Sequence, residues 1–393
     1  MLPLRNFSVL GEGEGAKGTT HTSREIAGQP KLWEEVFNKI VHEKRDLDNF
    51  LSPILALNDL RIILAGAGSS AFIGEAVQGI VQKGTQRITQ AIATTDLITH
   101  ATSYFLKAVP TLLISFARSG NSPESLEAIN LANLYCDRIF HLIITCNEKG
   151  AVIKNIDRGN SFVFILPKAA NDKGLAMTGS FTSMLLSIIL IIKLSKINSL
   201  KKGLREIEAN AIQLIKEYSP LIKEVTEKKF ERVIFLGSGP MLGIARECHL
   251  KLQELTDGKV ICKHDSFLGF RHGPRVVTND RSLIVYLFSN EEYVFQYEKD
   301  LANSIAGDSG YFPAICFGRK IEGLKNGILD IIFKKSIFEL DVFYYLSAAL
   351  IGQLLGYYKS IELGLEPDNP SVSGAINRVV QGVTIYSTET ILE

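Results

Sequence analysis

Short apolar runs that end in small or polar residues recur along the chain, and stretches of helical spacing separate them. Arg61–Ala65 (RIILA) ends in Gly66-Ala67-Gly68, and Thr111–Phe116 (TLLISF) ends in Ala117-Arg118-Ser119-Gly120. His141–Thr145 (HLIIT) runs into Cys146-Asn147, and Phe162–Leu166 (FVFIL) stops at Pro167. Near-continuous apolar runs of this length predict parallel strands covered on both faces in an α/β sheet. The pattern then restarts. Arg232–Leu236 (RVIFL) ends in Gly237-Ser238-Gly239, Ser282–Phe288 (SLIVYLF) ends in Ser289-Asn290, and Val260–Lys263, Pro313–Phe317 and Ile328–Phe333 read as further strands. Each half opens with a strand that ends Gly-small-Gly, at Gly66 and at Gly237, which reads as a duplicated domain rather than a short-period solenoid.

Helical spacing supplies the rest. Trp33, Val36, Phe37, Ile40 and Val41 mark an N-terminal helical arm, with Thr22-Ser23-Arg24-Glu25 as its expected cap, behind a glycine-rich lead-in from Gly11 to Gly18. The apolar stretch Met184–Ile192 is broken by Ser187 and stopped by Lys193. A membrane span needs about 20 apolar residues, so a buried helix is expected. A charged helix, Lys201–Lys229, joins the halves with a break near Ser219-Pro220. A long helix, Asp341–Lys359, and a Pro/Ser-rich tail, Glu366–Ser373, close the chain. The expected division is an arm over 1–44, a first domain over 45–205 and a second over 206–393.

Composition narrows the class. The 393 residues carry 43 Lys+Arg against 42 Asp+Glu, so net charge gives no electrostatic basis for binding nucleic acid or an anionic membrane, and neither partner is expected. An anionic ligand must then be held by a local site. The cysteines, Cys136, Cys146, Cys248, Cys262 and Cys316, are odd in number and none forms a CxxC pair. They read as reduced thiols of a cytoplasmic protein rather than as disulfides or a zinc site. Met1–Leu10 lacks the apolar run of a signal peptide.

Ser115-Phe116-Ala117-Arg118-Ser119-Gly120-Asn121-Ser122-Pro123-Glu124-Ser125 follows a strand and opens a helix at Pro123. Hydroxyls, a glycine and an amide gathered at a helix N-terminus suit a phosphate, since free N–H groups and the helix dipole both favour an anion there. Arg118 could add a charge-assisted bond. The plainer alternative is a capped helix behind a polar loop. Gly66-Ala67-Gly68-Ser69-Ser70 is a second such loop, but Ala71 breaks GxGxxG, so no nucleotide cofactor is expected. In the second half Ser289-Asn290-Glu291-Glu292 places carboxylates where the first half has Arg and Ser, which disfavours phosphate. That half offers instead Glu254, within Arg246–Leu255, and His272, within Gly269-Phe270-Arg271-His272-Gly273-Pro274. A carboxylate and an imidazole are usual agents of proton transfer. A solvated helix residue and a loop histidine are the alternatives for these two.

Taken together, Ser115–Ser125, the LKLQEL helix and the HGP turn resemble the isomerase half of glucosamine-6-phosphate synthase and its sugar-isomerase (SIS) relatives. Thr22–Ile26 with Gln29–Trp33, Gly120–Ser125, Ile144–Glu148, Gly269–Pro274 and Asn377–Val383 bring the chain closer to the AgaS group of galactosamine-6-phosphate deaminases and tagatose-6-phosphate ketose/aldose isomerases. The resemblance runs from about Thr22 to Ile385 and implies two tandem SIS domains in an α/β fold, each a parallel sheet between helices. It implies phosphate binding by Ser69, Ser70, Arg118, Ser119 and Ser122, with Asn121 in the same loop, and a substrate contact at Thr178. It implies a C1/C2 base at Glu254 and a ring-opening or proton-shuttling histidine at His272. It further implies a homodimer, or a dimer of dimers, with sites shared between subunits.

Two departures from the synthase matter. No cysteine stands at position 2 and no glutaminase domain is expected, so ammonia does not come from glutamine. Gln381 stands where the synthase carries an imine-forming lysine, and an amide forms no imine. A 2-amino sugar brings its own amine. The expected reaction is therefore conversion of D-galactosamine 6-phosphate and water to D-tagatose 6-phosphate and ammonia, with no cofactor and no metal. A non-deaminating ketose/aldose isomerase acting on a phosphorylated hexose is the alternative, and a non-catalytic sugar-phosphate sensor is a more distant one.

Overall fold

The computed structural model describes residues 20–154, 156–307, 313–333, 341–380 and 382–386. Helices α1 (Thr20–His42) and α2 (Lys44–Leu55) precede a first unit of β1 (Arg61–Gly66), α3 (Ser69–Thr85), β2 (Ile88–Ala93), β3 (Thr111–Ala117), α4 (Pro123–Tyr135), β4 (Ile139–Thr145), β5 (Ser161–Ile165) and α5 (Gly179–Ile191). Helices α6 (Ile197–Gln213) and α7 (Ser219–Thr226) lead to the second unit. It consists of β6 (Arg232–Gly237), α8 (Pro240–Leu255), β7 (Ile261–Asp265), β8 (Ser282–Leu287), α9 (Glu292–Ala306), β9 (Ala314–Phe317), β10 (Gly327–Ile331) and α10 (Asp341–Glu362).

Each unit is a five-stranded, wholly parallel sheet, in the orders β2-β1-β3-β4-β5 and β10-β9-β8-β6-β7. Read from β7, the second order repeats the first. The strand order reverses between β1 and β3 in one sheet and between β6 and β8 in the other, and open α/β sheets leave a crevice for ligands at that point. Strands β1, β3, β8 and β9 are buried at every residue, which is why their sequences are near-continuous apolar runs. The edge strand β2, ITQAIA, mixes exposed, half-buried and buried positions and polar with apolar residues, so its sequence does not stand out as a core strand.

The expected joint is helical from α6 through a π-helical turn, Leu214–Tyr218, into α7, which begins at Ser219-Pro220. Met184–Ile191 falls within α5, every residue of which is buried against α1 and α3. No single helix among the described residues is long and apolar enough to cross a membrane. One expectation is corrected. Thr22 and Ser23 do not cap the arm, because α1 already includes Thr20 and both side chains are buried within the helix.

Two contacts set the site. Helix α8 lies against both α3 and α10, so the two units share one core. At Gly243 an added Cβ would lie 2.5 Å from the backbone nitrogen of Ala76, so only glycine lets α8 come this close to α3. In the core, Trp33 Nε1 donates to Thr182 Oγ1 at 3.0 Å, Thr182 donates to Gln29 Oε1 at 2.6 Å, and Gln29 Nε2 donates to Gln353 Oε1 at 2.6 Å. This buried chain of paired polar groups ties α1 to α5 and α10.

Candidate active site

A cavity of about 330 Å³ opens at the crevice between β1 and β3. Its size is at the small end for ligand pockets, roughly 300–1,000 Å³. Ser69 and Ser70, at the first turn of α3, line one wall. Ser119, Gly120, Ser122 and Ser125, around the first turn of α4, line the next. Gly120 takes φ +61°, which lets the chain turn sharply from strand to helix. Ser122 caps α4: its Oγ accepts from Ser125 N at 3.3 Å and donates to Ser125 Oγ at 2.7 Å. Capping and lining therefore coincide in one residue.

Arg118 also lines the cavity but is already engaged. Its Nη1 donates to Leu175 O at 3.0 Å and its Nη2 donates to the carbonyl of Arg378. It ties the loop after β5 and the C-terminal tail to the loop after β3. The tail itself, Ala375 to Val380, forms the roof. Arg378 Nε donates to Asp172 O at 2.7 Å and Nη2 donates to Asn171 Oδ1 at 2.7 Å. Three cationic side chains, Arg118, Lys251 and Arg378, thus line the cavity against one carboxylate, Glu254. That excess of positive charge suits a phosphorylated ligand.

The floor comes from α8. Glu247, Lys251 and Glu254 recur at i, i+4 and i+7 and so share one helix face. Lys251, 1% exposed, places Nζ 2.5 Å from Glu254 Oε2 and 3.6 Å from Glu247 Oε1. Burial raises the fully enclosed Glu247 carboxyl to about 8, against the pull of Lys251. Burial alone would lower the Lys251 ammonium, but the two carboxylates outweigh it and its value is raised. Lys251 pairs with Glu254, and burial pushes Glu247 toward its neutral form, which keeps a second negative charge out of the same enclosed face. Glu254 retains 22% side-chain exposure, and of the two acids only it reaches the cavity.

The structure therefore brings Ser69, Ser70, Arg118, Ser119, Ser122 and Glu254 together. It places three others elsewhere. Asn121 lies outside the lining, with Oδ1 accepting from Ala151 N at 2.9 Å, so it braces the loop. Thr178 is fully buried, and its hydroxyl donates to Asp172 Oδ1 at 3.0 Å. His272 is exposed in a turn and is absent from the lining. Gln381 lies outside the described residues. In the second sheet, the loop at the matching crevice is taken up by the protein's own groups. Ser289 N donates to the buried Glu298 Oε2 at 2.8 Å, and Arg319 Nε donates to Ser289 O at 2.9 Å.

Lys251, Glu247 and Arg378 escaped the sequence reading. The Glu–Lys–Glu spacing on α8 was the available signal, but charges at helical spacing usually mark a solvated face. Only the packing of α8 shows that this face is buried.

No protein-family model matches the chain. It is 38% identical over 369 residues to a D-galactosamine-6-phosphate deaminase AgaS of Escherichia coli, covering 93% of this chain and 96% of the relative. The crystal structure of a tagatose-6-phosphate ketose/aldose isomerase from Escherichia coli superposes with a TM-score of 0.87 at 35% identity, over 95% of this chain and 98% of the other. The C-terminal domain of glucosamine-fructose-6-phosphate aminotransferase from Francisella tularensis shares the fold, with a TM-score of 0.72 at 20% identity over 89% and 99% of the two chains. With two parallel SIS-type sheets and this degree of identity along nearly its whole length, the chain belongs to the AgaS family of sugar-phosphate enzymes.

Proposed function

We propose that this enzyme converts D-galactosamine 6-phosphate and water to D-tagatose 6-phosphate and ammonia. One observation carries the reading: the first turns of α3 and α4, rich in serine, and the carboxylate of Glu254 line the same cavity. Phosphate is held by Ser69, Ser70, Ser119 and Ser122 in residues 45–205, and the proton is moved by Glu254 in residues 206–393. The open-chain aldose lies with C2 toward Glu254. The carboxylate takes the C2 proton, leaving an enolamine between C1 and C2, and the same group returns a proton to C1. The product is a 2-imino ketose. Water adds to its C2=N bond and ammonia leaves, giving the ketose. Lys251 holds Glu254 in place and balances its charge before the proton arrives. The name of the Escherichia coli deaminase supports this substrate.

The ketose/aldose isomerase of known structure favours a second reading, in which the same proton step acts on a hexose 6-phosphate with no amine to lose. Ammonia release and ketose formation, followed in parallel on a panel of hexose and 2-amino-hexose 6-phosphates, separate the two. Equimolar ammonia and ketose from the amino sugar supports deamination. Ketose from the neutral aldose, with no ammonia from any amino sugar, would falsify it.

We also infer a dimer with shared sites. His272 is exposed and away from its own cavity, which supports its delivery to the cavity of a second copy, where it would open the sugar ring. The five unpaired thiols support a reducing, cytoplasmic setting.

A further inference from the structure

The segment Thr22–Glu25 takes no part in the cavity, yet it touches both elements that roof it. The N–H groups of His21 and Thr22, in the first turn of α1, donate to the Asp368 carboxylate at 3.0 and 2.7 Å. Thr22 Oγ1 donates to Pro367 O at 3.1 Å. Glu25 accepts from Lys173 N at 2.5 Å and from Gly174 N at 3.3 Å. Between these anchors, Leu175 N donates to Asp368 O at 3.0 Å. Helix α1 therefore holds the loop after β5 with its own carboxylate, Glu25, and holds the start of the tail by donating its first N–H groups to the tail's carboxylate, Asp368. The linkage continues inward through Leu175 O to Arg118, and through Asp172 O to Arg378. Leu175, Met177 and Arg378 line the cavity.

We propose that Glu25 is a positioning residue for the sugar-phosphate site: it holds the loop Asp172–Met177 in place, so that α1 sets substrate affinity without touching substrate. The proposal rests on the reading of the cavity as the substrate site.

Glu25 differs from its neighbours in how it is satisfied. The carboxylates that face it are Asp172 from the loop and Asp368 from the tail. Asp172 accepts from the N–H groups of Thr178, Gly179 and Ser180 and from two hydroxyls, so it is fixed at the N-terminus of α5. Asp368 is fixed at the N-terminus of α1. Glu25 has two loop amides and no helix N-terminus, which makes it the weakest holder of negative charge among the three. Burial, with Asp172 adding to it, raises its carboxyl to about 7 despite those amides. The folded-state value lies above the ordinary one, so the contribution to stability is complete in acid and is lost as pH rises through about 7. A neutral carboxyl still accepts both amides through its carbonyl oxygen. An ionised one adds a third negative charge to the cluster. Between pH 6 and 8 the roof therefore loosens as pH rises.

The test compares parent, Glu25→Ala and Glu25→Gln. It measures kcat and KM for D-galactosamine 6-phosphate between pH 6 and 8.5, together with amide hydrogen exchange of residues 172–178 and 368–378 without substrate. Loss of the two amide hydrogen bonds that Glu25 accepts predicts a KM increase of roughly tenfold for Glu25→Ala, with kcat within about threefold and faster exchange in both segments. Glu25→Gln keeps the amide bonds without the charge. It is expected to retain the low KM and slow exchange and to lose the rise of KM between pH 6 and 8. Parental KM in Glu25→Ala overturns the proposal, whether or not exchange is faster. So does an unchanged pH profile in Glu25→Gln, which remains readable if Glu25→Ala does not fold. A Ser119→Ala/Ser122→Ala variant with parental KM would instead remove the premise, and exchange in the Glu25 variants would still report whether the brace exists.

Discussion

Replacing Glu254 by Gln isolates the proton-transfer step. The amide keeps the size of the side chain and can still accept from Lys251 Nζ, now 2.5 Å from Glu254 Oε2. It cannot take a proton from C2. General base catalysis contributes typically about 10²–10⁴-fold, or roughly 2.7–5.4 kcal/mol of barrier, and kcat is expected to fall by that factor. Stability should change little, for a reason visible in the triad. Glu247, held at about 8 by burial, lies 3.6 Å from the same ammonium. When Glu254 loses its charge, Glu247 can ionise in its place, so Lys251 is not left as an uncompensated buried cation. Binding should survive, because in the proposed site the phosphate rests on the serines at the starts of α3 and α4 and not on Glu254. The assay is ammonia release coupled to ketose detection, with deuterium incorporation from solvent at C1 of the product as a direct record of the proton step. Turnover within a few-fold of the parent, or unchanged deuterium incorporation, removes Glu254 as the base.

Three further outcomes are expected. The Ser119→Ala/Ser122→Ala variant should bind phosphorylated sugar and inorganic phosphate more weakly by about 1.5–3 kcal/mol per lost hydrogen bond; equal thermal protection of variant and parent by phosphate would contradict the loop assignment. Inactive Ser119→Asp chains mixed with inactive His272→Ala chains should recover roughly a quarter of parental activity after random exchange, since half the dimers are mixed and each keeps one intact site of two. No recovery despite demonstrated exchange would mean that each subunit uses its own His272. Gly243→Ala places a methyl 2.5 Å from the Ala76 nitrogen. Overpacking of this kind costs about 1–3 kcal/mol, and thermal unfolding should show it together with a drop in kcat, because α8 carries Glu254 and α3 carries Ser69.

Much of this protein is legible in the chain because the physics involved is local. A strand buried on both faces must be largely apolar, so β1, β3, β4, β6, β8 and β9 announce themselves. A helix entered from a strand through hydroxyls and a glycine carries that signature locally, so Ser119, Gly120 and Ser122, which line the cavity, do the same. The edge strand β2 is half exposed, tolerates polar residues and leaves no such trace. What the chain alone could not decide is what depends on which surface is covered. Lys251 reads as an ordinary helix-surface lysine until α3 and α10 close over α8 and leave it 1% exposed between two carboxylates. Arg118 reads as a free phosphate ligand, but the folded chain brings the carbonyls of Leu175 and Arg378 to its guanidinium, the second of them 260 residues away in sequence. Thr22 and Asp368, joined by the Thr22 N–H, are farther apart still, and local spacing cannot record a bond between such distant residues. Their meeting at the roof of the cavity is a product of the tertiary fold, in which two helix N-termini and a loop must each find a carboxylate.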